Sequence, residues 1–153
     1  MRKIKFRAWD KQAKKMIYSD KVYPSSMYKF EFDILSGFDF KLMKMVDRYN
    51  VTDNEGNDTY QEVFEAVEAY VMQNTGLKDM NDKEIYEGDI VKIYDVQTGK
   101  LSESTYPVIC NSKSEWTIED YYLLSRKHHK CKVIGNIYEN NNLVPTQMSG
   151  PAN

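Results

Sequence analysis

Alternation of apolar and polar positions opens the chain and recurs along it. In residues 3–9, KIKFRAW, Ile4, Phe6 and Ala8 fall on one face and Lys3, Lys5, Arg7 and Trp9 on the other. That period of two is the pattern of a half-buried strand. The polar run Asp10–Lys15 reads as a turn, and Met16-Ile17-Tyr18 as the returning strand of a hairpin. Met27–Leu35 alternates again, with Tyr28, Phe30, Phe32 and Ile34 set against Lys29, Glu31, Asp33 and Leu35, between the breakers Pro24-Ser25-Ser26 and Ser36-Gly37. It predicts another strand. Phe38–Val46 is mixed and fits a further strand or a short helix. Val51–Asp58 reads as a polar loop in which Asn54, Gly56 and Asn57 are turn formers.

The period then changes. Tyr60, Val63, Phe64, Val67 and Val71 fall at i, i+3, i+4, i+7 and i+11, one apolar face of a helix. Thr59 and Glu62 have capping-box spacing at its start. The helix is expected to stop before Tyr70, and Tyr70–Asn74 fits a strand leading into Gly76 equally well.

The stretch Thr75–Asp95, TGLKDMNDKEIYEGDIVKIYD, reads as a turn, a hairpin and a strand. Gly76 and Gly88 mark sharp changes of direction, because glycine takes positive φ without a Cβ clash. Ile90, Val91, Ile93 and Tyr94 are the β-branched and aromatic run that packs on a pleated surface. Thr98-Gly99-Lys100 is the next turn and Thr105–Cys110 the return strand. Pro107 cannot donate to a ladder, so that strand is expected at an edge, or irregular there. Glu115–Ile118 predicts a short strand around Trp116, Glu119–Ser125 is ambiguous, and Lys130–Tyr138 is a last strand. The tail from Glu139 onward, rich in Asn, Pro, Ser and Gly, is expected to be poorly ordered.

The 153 residues suit one domain with a real hydrophobic core. A 41% hydrophobic and 13% aromatic content excludes a disordered chain, and the 12 Tyr lean towards β structure. A net charge of −2 excludes a generic polyanion binder. The charge is uneven: residues 1–50 hold 12 Lys/Arg and 6 Asp/Glu. Cys110 and Cys131 are the two cysteines, too few for a disulfide framework, which points to a reducing compartment. The N-terminus lacks the apolar core of a signal peptide, and no apolar run is long enough to span a membrane.

Four pieces in order carry a resemblance. They are KIKFRAWD with its Lys-rich turn and Met16-Ile17, QNTGLK at Gln73–Lys78, KEIYEGDIV at Lys83–Val91, and VIGNIYEN at Val133–Asn140. Together they resemble the YopX family of phage and prophage proteins over roughly residues 1–142. The resemblance implies a β-rich pseudo-barrel with helical additions, in a small accessory protein of a phage or prophage in the host cytoplasm. It brings no established activity and no catalytic residues. Asn81-Asp82 departs from the family's Asn-Gly-like hairpin. A type I′ turn needs φ > 0 at both central positions, so another turn is expected here. Phe38–Ala69 has no clear counterpart in the family.

The strongest candidate for chemistry is the outer face of the first strand: Lys3, Lys5, Arg7 and Trp9. Interleaved cations and an aromatic ring suit phosphates and a stacked base. The simpler reading, a solvated face with Trp9 covered by a loop, carries more weight because acidic residues elsewhere reduce the field. Glu84, Glu87 and Asp89 beside Gly88 lack a third metal ligand at a readable spacing; Asp89 is expected to accept backbone N–H bonds. His128, His129, Cys131 and Cys110 lack the spacing of a zinc site, and adjacent histidines in a strand would face opposite sides. No Gly-rich phosphate loop or nucleophile elbow occurs.

The sequence therefore predicts a mainly β protein: an antiparallel, strongly bent sheet forming a partly closed pseudo-barrel, with a short capping helix. Residues 1–142 are expected to form one YopX-like domain and 143–153 a disordered tail. The expected function is a non-catalytic binding module for a host or phage protein, with homo-oligomers among its options. The alternative is a nucleic-acid-binding accessory protein using the first strand. No cofactor, metal or membrane is expected.

Overall fold

The computed structural model describes residues 3–35, 37, 39–119 and 121–144. In chain order its strands are β1 (Phe6–Asp10), β2 (Lys15–Tyr18), β3 (Tyr28–Asp33), β4 (Asp39–Thr52), β5 (Asp58–Val67), β6 (Ala69–Lys78), β7 (Glu84–Tyr86), β8 (Asp89–Asp95), β9 (Lys100–Leu101), β10 (Tyr106–Cys110), β11 (Trp116–Ile118) and β12 (Tyr122–Leu123). The helix α1 (Leu124–Lys127) and the last strand β13 (Cys131–Asn136) follow, with 3-10 turns at His128–Lys130 and Asn141–Leu143. Over the described residues the protein is mostly β: curled antiparallel sheets form half-barrels, with one short α-helix. Two compact units divide it, residues 5–71 and residues 1–4 with 72–153, and β6 contains the boundary.

In the unit of residues 5–71, β1 and β2 form the expected hairpin, in the register Ala8↔Ile17. A second sheet has the order β3-β4-β5. Tyr28 faces Lys44 and Phe32 faces Phe40 across β3 and β4. Leu42 faces Val67 across β4 and β5. Cross-strand partners share a face, so Tyr28, Phe30, Leu42 and Val67 form one apolar side. That side packs on Ala8 and Ile17 of the hairpin. An aromatic row continues it, with Phe6–Phe40 centroids 4.2 Å apart and Phe32–Phe40 4.9 Å.

The helix expected to start at Thr59 and stop before Tyr70 is instead β5, running into β6. Three of its five periodic positions are Val, which is stiff at χ1 and favours strands. Asp53–Asn57 closes a tight hairpin that hands β5 a ten-residue partner in β4. Thr59 and Glu62 therefore do not cap a helix; Glu62 accepts from the Tyr23 hydroxyl and pairs with Arg48 at 3.3 Å. Of the two options for Phe38–Val46, strand is realised, and β4 continues to Thr52 through residues expected to be loop. A bulge between Met45 and Asp47 interrupts its pairing with β5.

In the unit of residues 72–144, the strand order is β12-β11-β10-β8-β13, with β9 on β8. Ile85, Val91, Val108, Ile118, Leu124, Cys131 and Val133 form its core. Gly76 and Gly88 have φ of 75° and 76°, as their turns required. At Gly88 an added Cβ would meet Ile137 and the Met72 sulfur at 3.4 Å. Asp82 alone of the Asn81-Asp82 pair has positive φ, so the hairpin avoids a type I′ turn. Asp79 organises it: Oδ1 accepts from the N–H groups of Asn81 and Lys83, and Oδ2 from the N–H of Val133.

One expectation is resolved and one needs correction in this unit. Of the two options for Thr105–Cys110, an edge or an irregularity at Pro107, the second is realised, because β10 is interior in its sheet. Pro107 is tolerated because β10 meets β8 only through Tyr106 and Pro107, and meets β11 from Val108 onward. Residues 139–144 are held in place: the Asn136 side chain accepts from the N–H groups of Tyr138 and Glu139, and Thr105 Oγ1 donates to the Leu143 carbonyl at 2.6 Å. The rest of the expected disordered tail, from residue 145, lies outside the described residues, as do Ser36 and Phe38.

Candidate functional site

The basic face expected on the first strand does not form a solvated stripe. Arg7 is 4% exposed and Trp9 9%, and Ala8 and Asp10 are buried too, so both faces of β1 are covered. Lys3 is exposed and Lys5 half-buried. The physical reason is position: β1 is an interior strand of its sheet. Its apolar face meets the β3–β5 core, and period-two alternation alone cannot tell a solvated second face from a covered one.

The acidic cluster is dispersed among structural roles. Asp89 is buried and accepts from the Tyr86 N–H at 2.8 Å, as expected of a turn carboxylate. Glu84 accepts from the Tyr86 hydroxyl at 3.2 Å, and Glu87 from the Gln73 N–H at 3.4 Å.

The His/Cys group is likewise separate. His128 and His129 lie in a 3-10 turn rather than a strand, so their rings meet edge to face with centroids 5.6 Å apart instead of pointing to opposite sides. His128 Nδ1 lies 2.7 Å from the Lys78 carbonyl oxygen. Cys110 is exposed in β10, while Cys131 is buried and its thiol is pushed up to about 11 by burial, then by the nearby Asp79 carboxylate. At neutral pH Cys131 is a protonated, packed thiol. Among the described residues no group of three or more His, Cys, Asp or Glu could hold a metal ion.

Large apolar side chains are exposed at Ile4, Val96 and Tyr121 and, as a larger set, on the β3–β5 sheet and its turns. Leu35 is 95% exposed and Ile34 61%, beside half-exposed Phe32 at the β3–β4 end. Towards the far end of the long β4–β5 hairpin Tyr60 is 63% exposed and Tyr49 is open to solvent on the opposite face, while Val46 is exposed at the mid-strand bulge. A strand rises ~3.3 Å per residue, so the 14 residues of β4 separate the two ends by about 45 Å. Asp53 fixes the distal turn by accepting from the N–H groups of Glu55 and Asn57, both at 2.9 Å. Those bonds, that from Asn57 foremost, hold its carboxyl below the usual range.

Most cations of this sheet are matched internally. Lys41 pairs with Asp33, Lys29 with Glu31 at 3.5 Å and Arg48 with Glu62. Lys29 also sits 4.2 Å from the Phe64 ring centroid and Arg48 4.6 Å from that of Tyr60. A cleft of about 600 Å³ between the β1–β2 turn and β4–β5 is lined by Lys11, Lys44, Glu65 and Glu68 among others. Lys11 spans it to Glu68 at 2.6 Å and lies 4.0 Å over the Tyr70 ring. The Glu68 bond raises the Lys11 pKa, and Glu68 is lowered in return. Sequence reasoning left Tyr49 unassigned and placed Tyr60 on the apolar face of a helix. The readable signal was the Asn54–Gly56 turn flanked by two β-prone runs.

The comparisons with known proteins agree with this architecture. The family model described as YopX protein matches residues 5–145. No curated protein matches. Among solved structures, the chain is similar to the crystal structure of protein EF1440 from Enterococcus faecalis, with a TM-score of 0.56, 23% identity, and coverage of 95% of this chain and 100% of that one. At that identity the likeness concerns the fold alone. In the described residues no helix is long and apolar enough to cross a membrane. With nearly its whole length matched, the chain belongs to the YopX family.

Proposed function

We propose that this YopX-family chain is a non-catalytic binding module for a host or phage protein in the host cytoplasm, engaged through the β3–β5 sheet. The observation that carries the reading is the set of large apolar side chains left in solvent there: Phe32, Ile34 and Leu35 at the β3–β4 end, Val46 at the β4 bulge, and Tyr49 and Tyr60 on opposite faces near the distal turn. Isolated exposed apolar residues are ordinary, but several on one small sheet favour a protein partner. Tyr is suited to that role because it combines contact area with a polar tip. Nucleic acid fits less well. Phosphate binding needs cations free to displace counterions, and Lys29, Lys41 and Arg48 already face carboxylates.

The test is affinity capture from host lysate, with and without nuclease, using the wild-type chain and the Ile34→Asp/Leu35→Asp variant. Both side chains are exposed, so the fold should survive. A protein retained by wild type despite nuclease, and lost by ~10-fold or more in the variant, is the expected outcome; exposed hydrophobic anchors contribute on that scale. Retained material that vanishes on nuclease treatment would transfer the assignment to nucleic acid.

A further inference from the structure

We propose that the free edge of β5 is a strand-addition site for an extended, basic segment of the partner protein. This deepens the protein-binding reading and rests on it. Pairing and register define the edge. Met45 N–H donates to the Met27 carbonyl, so odd positions of β4 before its bulge face β3. Even positions Leu42 and Lys44 then face β5, opposite Val67 and Glu65. Backbone groups alternate along a strand. The N–H and C=O groups of Asp58, Tyr60, Glu62, Phe64 and Ala66 therefore point away from β4. Within the described residues β5 pairs with β4 alone.

Ten residues of β5 thus offer an open ladder without the usual protection of Pro, Lys or a bulge in the edge strand. Its chemistry selects the occupant. Residues 49–77 contain Asp53, Glu55, Asp58, Glu62, Glu65 and Glu68, and no Lys or Arg; Glu62 and Glu68 already pair with Arg48 and Lys11, which leaves Asp58 and Glu65 as the acidic positions of the edge strand itself. Antiparallel pairing with a second copy would lay acidic strand on acidic strand, and like charges directly opposite destabilise a ladder. A strand carrying Lys or Arg at alternate positions meets the reverse situation. Main-chain bonds supply affinity in this mode, and side-chain pockets supply choice.

The probe is a labelled peptide of alternating Lys and Val, matched to the ten residues of β5. Its controls are the same peptide N-methylated at alternate nitrogens on one edge, and a Glu-Val counterpart. The expected result is saturable binding that slows hydrogen exchange at the amides of Tyr60, Glu62, Phe64 and Ala66. N-methylation on the pairing edge, or Ala66→Pro in the protein, should weaken it ~10-fold or more, since each removes an edge donor without touching β4. Glu65→Lys should weaken it about threefold or more and reduce its salt dependence. Absence of saturable binding overturns the proposal. So does equal binding of the N-methylated peptide, continued fast exchange at those amides, or their protection by self-association without peptide. If the peptide fails while Ile34→Asp/Leu35→Asp still releases a captured protein, strand addition is wrong and the broader reading stands.

Discussion

Asp79→Ala is expected to destabilise the protein by ~3 kcal/mol or more, because three backbone donors share that one carboxylate. Asp79 is buried, and its oxygens lie 2.8 Å from the Asn81 nitrogen, 3.0 Å from that of Lys83 and 2.9 Å from that of Val133. Water can replace the bonds to Asn81 and Lys83, which are exposed. It cannot readily reach the N–H of Val133, a core residue 54 positions away in sequence. An orphaned buried donor costs ~1–3 kcal/mol by itself. Asp79→Asn is the informative companion. Its amide keeps one acceptor and turns an NH₂ towards a donor, so it should also lose ~2 kcal/mol. Urea unfolding measures both. A loss under ~1 kcal/mol for the alanine variant would mean that Asp79 is not the clamp of the β6–β7 hairpin onto β13.

Leu42→Ala should cost a comparable amount, ~2–5 kcal/mol, the range for deleting a fully buried leucine. Leu42 is 1% exposed and sits between Phe30 on β3 and Val67 on β5. It also packs in the core of Ala8, Ile17 and Tyr28. Its removal opens a cavity under the sheet proposed to bind the partner. Leu42→Met keeps the volume and should cost less than ~1.5 kcal/mol. Equal midpoints for alanine and wild type in thermal or urea unfolding would show that the sheet does not rest on this contact.

Much of the fold was legible because alternation is a strong signal where one face is buried. The hairpin β1–β2, the strand β3, the turns at Gly76 and Gly88 and the strand β8 all follow from it. The run Thr59–Val71 failed for a definable reason. Its apolar residues satisfy a helical spacing, yet Val63, Phe64 and Val67 also suit a strand, and the partner that decides between them lies across a hairpin. Local pattern cannot weigh a partner that it does not contain. The same gap explains the first strand. Lys3, Lys5, Arg7 and Trp9 alternate as a solvated face would, but whether Arg7 and Trp9 are covered depends on neighbouring strands.

The candidate site was legible only in part. Phe32 and Ile34 were assigned to an alternating strand, and their exposure follows from its end running beyond the packed hairpin. Tyr49 and Tyr60 needed the β4–β5 hairpin before they could be placed, on opposite faces near its turn. Family membership adds fold, not activity, so the binding assignment rests on that surface.

Hydrogen-exchange footprinting of the captured protein complex tests the binding assignment most directly. Protection concentrated in residues 28–35 and 46–66, with residues 85–93 and 131–136 unchanged, is the predicted result. Protection confined to residues outside 5–71, with β3, β4 and β5 exchanging as in the free protein, would contradict it.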